Sequence, residues 1–225
     1  KGFAVAEEGG FINDISSNAI TESGQASMIG SISSSITKSL DSSIIASKDS
    51  SIKFSKLSLI VGGGEHKIHH LASEADEVLN NAIVGGSNNK ISSSISASQT
   101  IKNSFIVGGS GHQIQQTDAA NPIANSIIVG GLNCNVKSGI SSAIVGGNSN
   151  RIGVGGDGGV VIGGASNEVQ HNDAVILGMT SKTSTAANTV FVQNLDVAGN
   201  MTVNQLTASI VSSSIMFSSG SNIFG

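Results

Sequence analysis

The densest cluster of side chains that could do chemistry lies between residues 65 and 77. It contains three histidines and four carboxylates: Glu65, His66, His69, His70, Glu74, Asp76 and Glu77. A His-x-x-His pair flanked by carboxylates has the ligand types of a divalent metal site. No second convergent set of ligands is visible, so an exposed polar loop is the favoured interpretation and no cofactor is expected. His66, His69 and His70 remain the weak metal candidates.

Other residues with catalytic potential have no partner at a suitable spacing. Cys134 is the sole cysteine, so no intrachain disulfide can form, and no base that would activate its thiol is indicated. It is interpreted as a small buried residue. Paired carboxylates of the kind that cleave glycans are not evident either, because the aspartates outside the cluster do not recur at a constant offset. They include Asp41, Asp49, Asp118, Asp157 and Asp173. The sequence therefore predicts that the chain is not an enzyme.

A repeat is the dominant signal in the chain: two or three aliphatic residues, Gly-Gly, four variable residues, then Ile or Val. Six copies place pairs of turn glycines at Gly62 and Gly63, Gly85 and Gly86, Gly108 and Gly109, Gly130 and Gly131, Gly146 and Gly147, and Gly163 and Gly164. The closing aliphatics, predicted to lie in the core, are Ile68, Ile91, Ile114, Val136, Ile152 and Val169, with Ile36 and Ile52 in weaker upstream copies. Because glycine permits positive φ, each Gly-Gly pair predicts a tight bend.

The spacing of the copies predicts the fold class. They recur about every 16 residues, except for three consecutive units of 22 to 23 residues that carry insertions at about 69–81, 92–104 and 115–126. Sixteen residues are too few for a helical repeat, and Ser, Gly and β-branched residues oppose helix formation. We therefore expect an all-β fold, a β-solenoid (β-roll) whose coil has two short strands and two turns.

The aliphatic run before each Gly-Gly predicts how the solenoid associates. Neighbouring residues of a strand face opposite sides, so one aliphatic of each pair points outward and stacked coils expose an apolar stripe. A coil this small encloses only a thin core, which favours burial of the stripe between chains. A homotrimer is the arrangement expected for such a fibre.

Composition and charge narrow the classes of partner. The chain has 29 Gly, seven Phe and no Trp or Tyr, so its core must be built from Ile, Val and Leu. The net charge is −4 and the eleven Lys and Arg are scattered, which argues against nucleic acid and against an anionic membrane surface. No apolar run has the length of a membrane span, so no membrane insertion is expected.

The repeat resembles the head domain of trimeric autotransporter adhesins, the YadA-like left-handed β-roll. The resemblance is carried by SAIVGG at residues 142–147 and NAIVGG at residues 81–86, and it covers residues 11 to 185. The second glycine and the longer period depart from the family's pattern. Residues 188–204 alternate apolar and polar side chains around a Gly-Asn turn, and with residues 206–225 they resemble interwoven trimeric segments of bacteriophage tail fibres. This second resemblance implies a phage virion rather than a bacterial surface.

The expected organisation has three parts. Degenerate first rungs occupy residues 1–27, the IVGG-repeat β-roll occupies 28–185, and a β-fibre or trimerisation segment of extended, interwoven strands occupies 186–225. The chain is interpreted as a segment of a longer protein, because it begins at Lys1 and stops within a strand-like sequence at Gly225.

Together these patterns predict a structural or adhesive fibre subunit on the surface of a phage virion. It would form a rigid trimeric rod whose insertions contact the host. The expected partners are further copies of the chain, other virion proteins, and a host-surface glycan or protein. The alternatives are the head of a bacterial trimeric surface adhesin, located on the cell surface, and a carbohydrate-active β-solenoid.

Overall fold

The computed structural model of the chain describes residues 3–6, 10–13, 18–70, 78–93, 101–116 and 122–198. These residues form an all-β structure of short strands, two to four residues each, and contain no helix. Accordingly, this part of the chain has no helix of the length and apolarity needed to cross a membrane. The predicted all-β class is confirmed.

Bends occupied by Ser, Asn and Gly separate the strands. The first thirteen strands are β1 (Phe3–Ala6), β2 (Gly10–Asn13), β3 (Ala19–Thr21), β4 (Ser27–Ile29), β5 (Ser35–Thr37), β6 (Ser43–Ile45), β7 (Ser51–Lys53), β8 (Ser55–Lys56), β9 (Leu59–Val61), β10 (Lys67–His70), β11 (Val78–Leu79), β12 (Ala82–Val84) and β13 (Lys90–Ser93). The remaining strands are β14 (Ile101–Lys102), β15 (Phe105–Val107), β16 (Gln113–Gln116), β17 (Ile123–Ala124), β18 (Ile127–Val129), β19 (Asn135–Val136), β20 (Gly139–Ile140), β21 (Ala143–Val145), β22 (Arg151–Ile152), β23 (Val160–Ile162), β24 (Glu168–Val169), β25 (Val175–Leu177) and β26 (Val190–Val192).

The strands belong to three sheets. Sheet 1 has the order β1-β2-β4-β6-β9-β12-β15-β18-β21-β23-β25-β26. Sheet 2 has the order β24-β22-β19-β16-β13-β10-β7-β5-β3, and sheet 3 has the order β20-β17-β14-β11-β8. Apart from the antiparallel pair β1 and β2, the neighbours are parallel and come from successive turns of the chain. The chain is therefore a parallel β-solenoid, and we call one turn of it a rung.

The register places equivalent residues of successive rungs side by side. In sheet 1, Ile60 pairs with Ile44 on one side and with Ile83 on the other. In sheet 2, Ile68 pairs likewise with Ile52 and Ile91. The longer rungs therefore add residues between sheets without shifting the strands within them.

Two aliphatic columns form the core. The inner column of sheet 1 consists of fully buried side chains: Met28, Ile44, Ile60, Ile83, Ile106, Ile128, Ile144, Val161 and Ile176. The inner column of sheet 2 consists of the predicted closing aliphatics, also fully buried: Ile36, Ile52, Ile68, Ile91, Ile114, Val136, Ile152 and Val169. The two columns pack into one continuous cluster.

The structure differs from the expectation of two strands per coil. Sheet 3 adds a third strand in five successive rungs, from β8 to β20. Its inward residues include Ser55, Ile101 and Ile123, all buried. Sheet 1 also continues past the expected boundary at residue 185, because β26 pairs in parallel with β25.

The chain divides into two compact units, residues 1–193 and 194–225. The solenoid belongs to the first unit. In the second, residues 194–198 are described, lie outside strands and helices, and are exposed. The rest of the predicted C-terminal β-fibre lies outside the described residues.

The three predicted insertions also fall largely outside the described residues, at 71–77, 94–100 and 117–121. Their flanks are described. Each insertion leaves sheet 2 at the end of β10, β13 or β16 and rejoins sheet 3 at β11, β14 or β17. The described flanks therefore lie where the chain passes from sheet 2 to sheet 3.

Candidate interaction surface

The strands of sheet 1 expose an apolar outer surface. In each strand the middle residue points into the core, so the first and third residues point outward. From β4 onward the third residue is always aliphatic: Ile29, Ile45, Val61, Val84, Val107, Val129, Val145, Ile162, Leu177 and Val192. Several are well exposed, among them Ile162 at 46% and Val84 at 41%.

A second column on the same surface is formed by the first residues of these strands. In six of them this residue is large and apolar: Leu59, Phe105, Ile127, Val160, Val175 and Val190. Phe105 is 42% exposed and Val190 58% exposed. We call the two columns together the outer face of sheet 1. It runs from β4 to β26 and carries large apolar side chains in every rung.

The outward positions of sheet 2 are polar. They include Ser35, Thr37, Ser51, Lys53, Lys67, His69, Lys90, Gln113, Gln115, Asn135, Arg151 and Glu168. Arg151 and Glu168, in the neighbouring strands β22 and β24, form an ion pair of 3.2 Å. This surface has the composition expected of a β-sheet that faces water.

A buried polar ladder lines the bend that leads from sheet 1 to sheet 2. Its members occupy one position of each rung: Ser34, Ser50, His66, Asn89, His112, Cys134, Asn150 and Asn167, all buried. In most rungs the side chain accepts the backbone N–H of the next member. Asn89 N donates to His66 Nδ1 at 3.3 Å, and His112 N donates to Asn89 Oδ1 at 3.0 Å. The ladder thus satisfies backbone groups that the core would otherwise leave without partners.

The Gly-Gly pairs make room for this ladder. A Cβ on Gly109 would clash with His112 Nε2 and with the carbonyl oxygen of Gly131, whereas a Cβ on Gly108 would meet no atom within 4 Å. Both residues have φ near +70°, at +67° for Gly108 and +70° for Gly109, a conformation that glycine adopts readily. In the rungs whose ladder residue is Ser34 or Ser50, a serine, Ser31 or Ser47, stands in place of the second glycine. The first glycine therefore serves backbone conformation, and the second also makes room for the backbone carbonyl of the next rung and, in most rungs, for the ladder side chain.

The three candidate metal ligands, all histidines, lie in different environments. His66 belongs to the buried ladder, and burial is the largest cause that lowers its pKa. His69 lies on the outer face of sheet 2, with Nε2 2.6 Å from Ser51 Oγ. His70 is buried at the end of β10. The side chains do not converge, and the described residues hold no group of three or more His, Cys, Asp or Glu suited to a metal. Glu74, Asp76 and Glu77 lie outside the described residues.

The pKa of His69 is lowered to about 4. Burial is the largest cause, followed by the positive charges of Lys67, Lys90 and Lys53. The imidazole is therefore neutral at pH 7, and its environment is electropositive.

Cys134 occupies the ladder position of its rung as a fully buried free thiol. Its backbone N–H donates to His112 Nδ1 at 3.1 Å, so this histidine nitrogen is engaged by the backbone. Burial raises the pKa of the thiol. The side chain is thus held in its protonated, poorly nucleophilic form.

The dispersed aspartates occupy bends. Asp41, Asp49 and Asp173 have positive φ. Asp157 Oδ1 accepts the backbone N–H of Ile140 at 3.0 Å. Asp118 lies outside the described residues. These four described aspartates therefore lie in turns, where the short side chain of Asp is commonly found.

The cluster of basic residues on the outer face of sheet 2 was not predicted from the sequence. Lys53, Lys67 and Lys90 are dispersed along the chain, but the parallel register brings their strands together. A signal existed in the repeat, because Lys67 and Lys90 both directly precede a closing aliphatic.

Comparison with known proteins assigns no family. No protein-family model and no curated protein matches the chain. Among solved structures it is similar to the polysialic acid O-acetyltransferase OatWY, with 15% sequence identity and a TM-score of 0.20 over 84% of this chain and 90% of that one. The sequence-based prediction that the chain is not an enzyme is contradicted by this comparison, because the matched protein is an acetyltransferase, and we withdraw it. A TM-score of 0.20 assigns no activity to this chain.

Proposed function

We propose that the chain is a subunit of a self-associating fibre, a homotrimeric rod on the surface of a phage virion. The observation that carries the proposal is the outer face of sheet 1. Soluble monomers rarely leave a contiguous apolar surface larger than a few hundred Å² exposed, and larger ones mark interaction sites. Here the aliphatic column continues through ten strands, from Ile29 to Val192.

The partner that fits this face best is another copy of the same chain. The side chains recur once per rung, at a spacing of about 4.8 Å set by parallel strand pairing. A second rod with the same rung spacing can match this column along its whole length. The trimeric order is part of the proposal, and it is supported by the resemblance of the repeats to trimeric adhesin heads and of residues 188–225 to trimeric phage fibres.

The energy available from such burial is substantial. Covering a half-exposed Ile or Val removes on the order of 50 Å² of apolar surface, which contributes roughly 1 kcal/mol at about 25 cal/mol per Å². A column of ten such residues on each chain would therefore contribute on the order of 10 kcal/mol per face before the entropy cost of association.

The same proposal includes the repeat lengths and the role of the insertions. Rungs of about 16 residues would form the plain rod, and the three rungs of 22 to 23 residues would carry its host-contacting loops. The described flanks of the insertions belong to sheets 2 and 3 and not to sheet 1. Self-association through sheet 1 would therefore leave them accessible to a glycan or protein of the host surface.

A bacterial surface adhesin is the second candidate, favoured by the SAIVGG and NAIVGG stretches at residues 142–147 and 81–86. Both candidates share the trimeric rod and differ in its location. An antibody against residues 122–193 should label intact phage particles under the first proposal and intact bacterial cells under the second.

Light scattering on the purified chain tests the assembly. The chain has a mass of 22.5 kDa, and a solution mass three times as large is the expected result. A truncation ending at Gln193 removes the second compact unit and shows whether the solenoid associates by itself. A stable monomer for the full chain at micromolar concentration would contradict the proposal.

A further inference from the structure

The outer face of sheet 2 carries a cluster of three lysines. Lys67 and Lys90 are direct neighbours in the register of β10 and β13. Lys53 is the direct neighbour of His69 in the register of β7 and β10. Equivalent positions of adjacent strands lie about 4.8 Å apart, so the three cations and His69 share one small area. We call these four residues the lysine cluster.

No carboxylate of the described residues balances this charge within 4 Å. The ion pairs of this part of the chain join Lys38 to Glu22, Lys48 to Asp49, and Arg151 to Glu168. Burial is the largest cause of the lowered pKa of His69, and the positive charges of Lys67, Lys90 and Lys53 lower it further. Like charges side by side in a sheet are destabilising, so the cluster disfavours the isolated fold and favours a bound anion.

Neutral hydrogen-bonding groups extend the cluster along the sheet. The column that contains Lys67 and Lys90 continues with Ser51 on one side and Gln113 on the other. Ser51 Oγ lies 2.6 Å from His69 Nε2. The surface therefore combines a few cations with hydroxyl and amide groups on a flat, regular sheet.

We propose that the lysine cluster binds an acidic polysaccharide, one that carries carboxylate or sulfate groups along a chain of hydroxyl-rich sugars. The ammonium groups pair with the acidic substituents, and the Ser and Gln side chains bind sugar hydroxyls. A nucleic acid fits less well, because it carries a phosphate on every nucleotide and the cluster offers three lysines. The inference goes beyond the proposed function, because binding at sheet 2 requires no self-association through sheet 1.

The test uses the full chain and three immobilised probes: polygalacturonate, dextran sulfate and neutral dextran. Wild-type protein should bind the two acidic probes and not neutral dextran. The triple variant K53Q/K67Q/K90Q should bind at least about ten-fold more weakly, and the slope of log affinity against log salt should fall by about 2, at roughly 0.7 per lost contact. The variant K53R/K67R/K90R should retain binding.

The matched control is K48Q/K102Q/K137Q, which removes the same charge elsewhere on the rod. It should bind like the wild type, and circular dichroism should be unchanged in all variants. Equal loss of binding in the control and cluster variants would overturn the proposal, as would absence of binding by the wild type to both acidic probes. Equal or tighter wild-type binding to a single-stranded oligonucleotide, lost in the cluster variant, would overturn the assignment to a polysaccharide. The mass by light scattering is recorded in parallel, so a failure of self-association is read separately.

Discussion

The outer faces of sheets 1 and 2 differ in chemistry although their inner faces are alike. Both sheets direct an unbroken column of buried aliphatics into the same core, exemplified by Ile106 and Ile114 in one rung. Outward, sheet 1 presents Val107 and its equivalents, whereas sheet 2 presents Gln113 and Gln115. The fold requires apolar residues only inside, so polar residues are the expected choice outside.

This difference indicates that the two outer faces meet different surroundings. The polar face of sheet 2 is suited to water and to polar ligands. The apolar face of sheet 1 would lower the solubility of the chain if it stayed exposed. A partner that covers this face explains its composition. The two proposed interactions therefore use separate surfaces, self-association on sheet 1 and anion binding on sheet 2.

The largest effect is expected for the inner columns, where the two sheets should respond equally. Ile106→Ala in sheet 1 and Ile114→Ala in sheet 2 each leave a cavity at a fully buried site, which should lower the free energy of unfolding by about 2–5 kcal/mol. Denaturant unfolding at one fixed chain concentration measures both. A loss of less than about 0.5 kcal/mol in either variant would show that its column is not a packed core.

The next effect concerns the bend between the sheets. Gly109→Ala should destabilise the rod more than Gly108→Ala, although both place a Cβ at positive φ. Gly108→Ala carries only the conformational cost, roughly 1–2 kcal/mol. Gly109→Ala adds clashes of the new Cβ with His112 Nε2 and with the carbonyl oxygen of Gly131. Thermal unfolding of the two variants measures the difference, and equal melting temperatures would refute the assigned role of the second glycine.

The buried ladder predicts a dependence of stability on pH. Burial lowers the pKa of His66 and His112 in the folded chain, so the unfolded chain takes up protons first as the pH falls. Their contribution is complete above about pH 6.5, the unfolded value, and is lost progressively below it. Nδ1 of His66 and Nδ1 of His112 accept hydrogen bonds from the backbone N–H groups of Asn89 and Cys134. Protonation of Nδ1 would remove these acceptors.

The variant H66N/H112N isolates this contribution. Asn already occupies the ladder at Asn89 and Asn150, so the variant should fold. Its unfolding free energy should fall less than that of the wild type between pH 7 and pH 5. His69, with a pKa of about 4, remains in both proteins and contributes equally. An unchanged pH dependence would show that the two buried histidines do not titrate as the structure requires.

The smallest effects are expected at the outer faces themselves. Gln115→Ala on sheet 2 should change the free energy of unfolding by less than about 0.5 kcal/mol. Val107→Ala on sheet 1 should weaken assembly by about 1 kcal/mol, and its melting temperature should fall most at low chain concentration. Identical behaviour of the two variants across a concentration series would remove the distinction between the faces.

The repeat made much of the fold predictable. Because the closing aliphatics keep a constant offset from Gly-Gly, Ile68 and Ile91 could be assigned to one core column before their strands were seen to pair. The outward aliphatics were equally predictable, since Ile106 and Val107 are consecutive and successive side chains of a strand point to opposite faces. Sheet 3 was not predicted, because strands of two residues such as Ser55–Lys56 show no periodicity.

The candidate surfaces were predictable to different degrees. The apolar face follows from local sequence, one rung at a time. The lysine cluster does not, because Lys53 and Lys67 come together only through the pairing of β7 with β10, and no window of the sequence contains all three lysines close together. The orientation of His66, His69 and His70 likewise depended on whether each residue lies in the bend or in the strand.

The most direct test of the account is the solution mass of two matched double variants. V107K/V145K places two charges on the outer face of sheet 1, and Q113K/Q115K places two on the outer face of sheet 2. Light scattering should give the wild-type multiple of 22.5 kDa for Q113K/Q115K and a smaller mass, down to that of one folded chain, for V107K/V145K. Full-size assembly of V107K/V145K at every concentration tested would contradict the claim that the outer face of sheet 1 is covered by another copy of the chain.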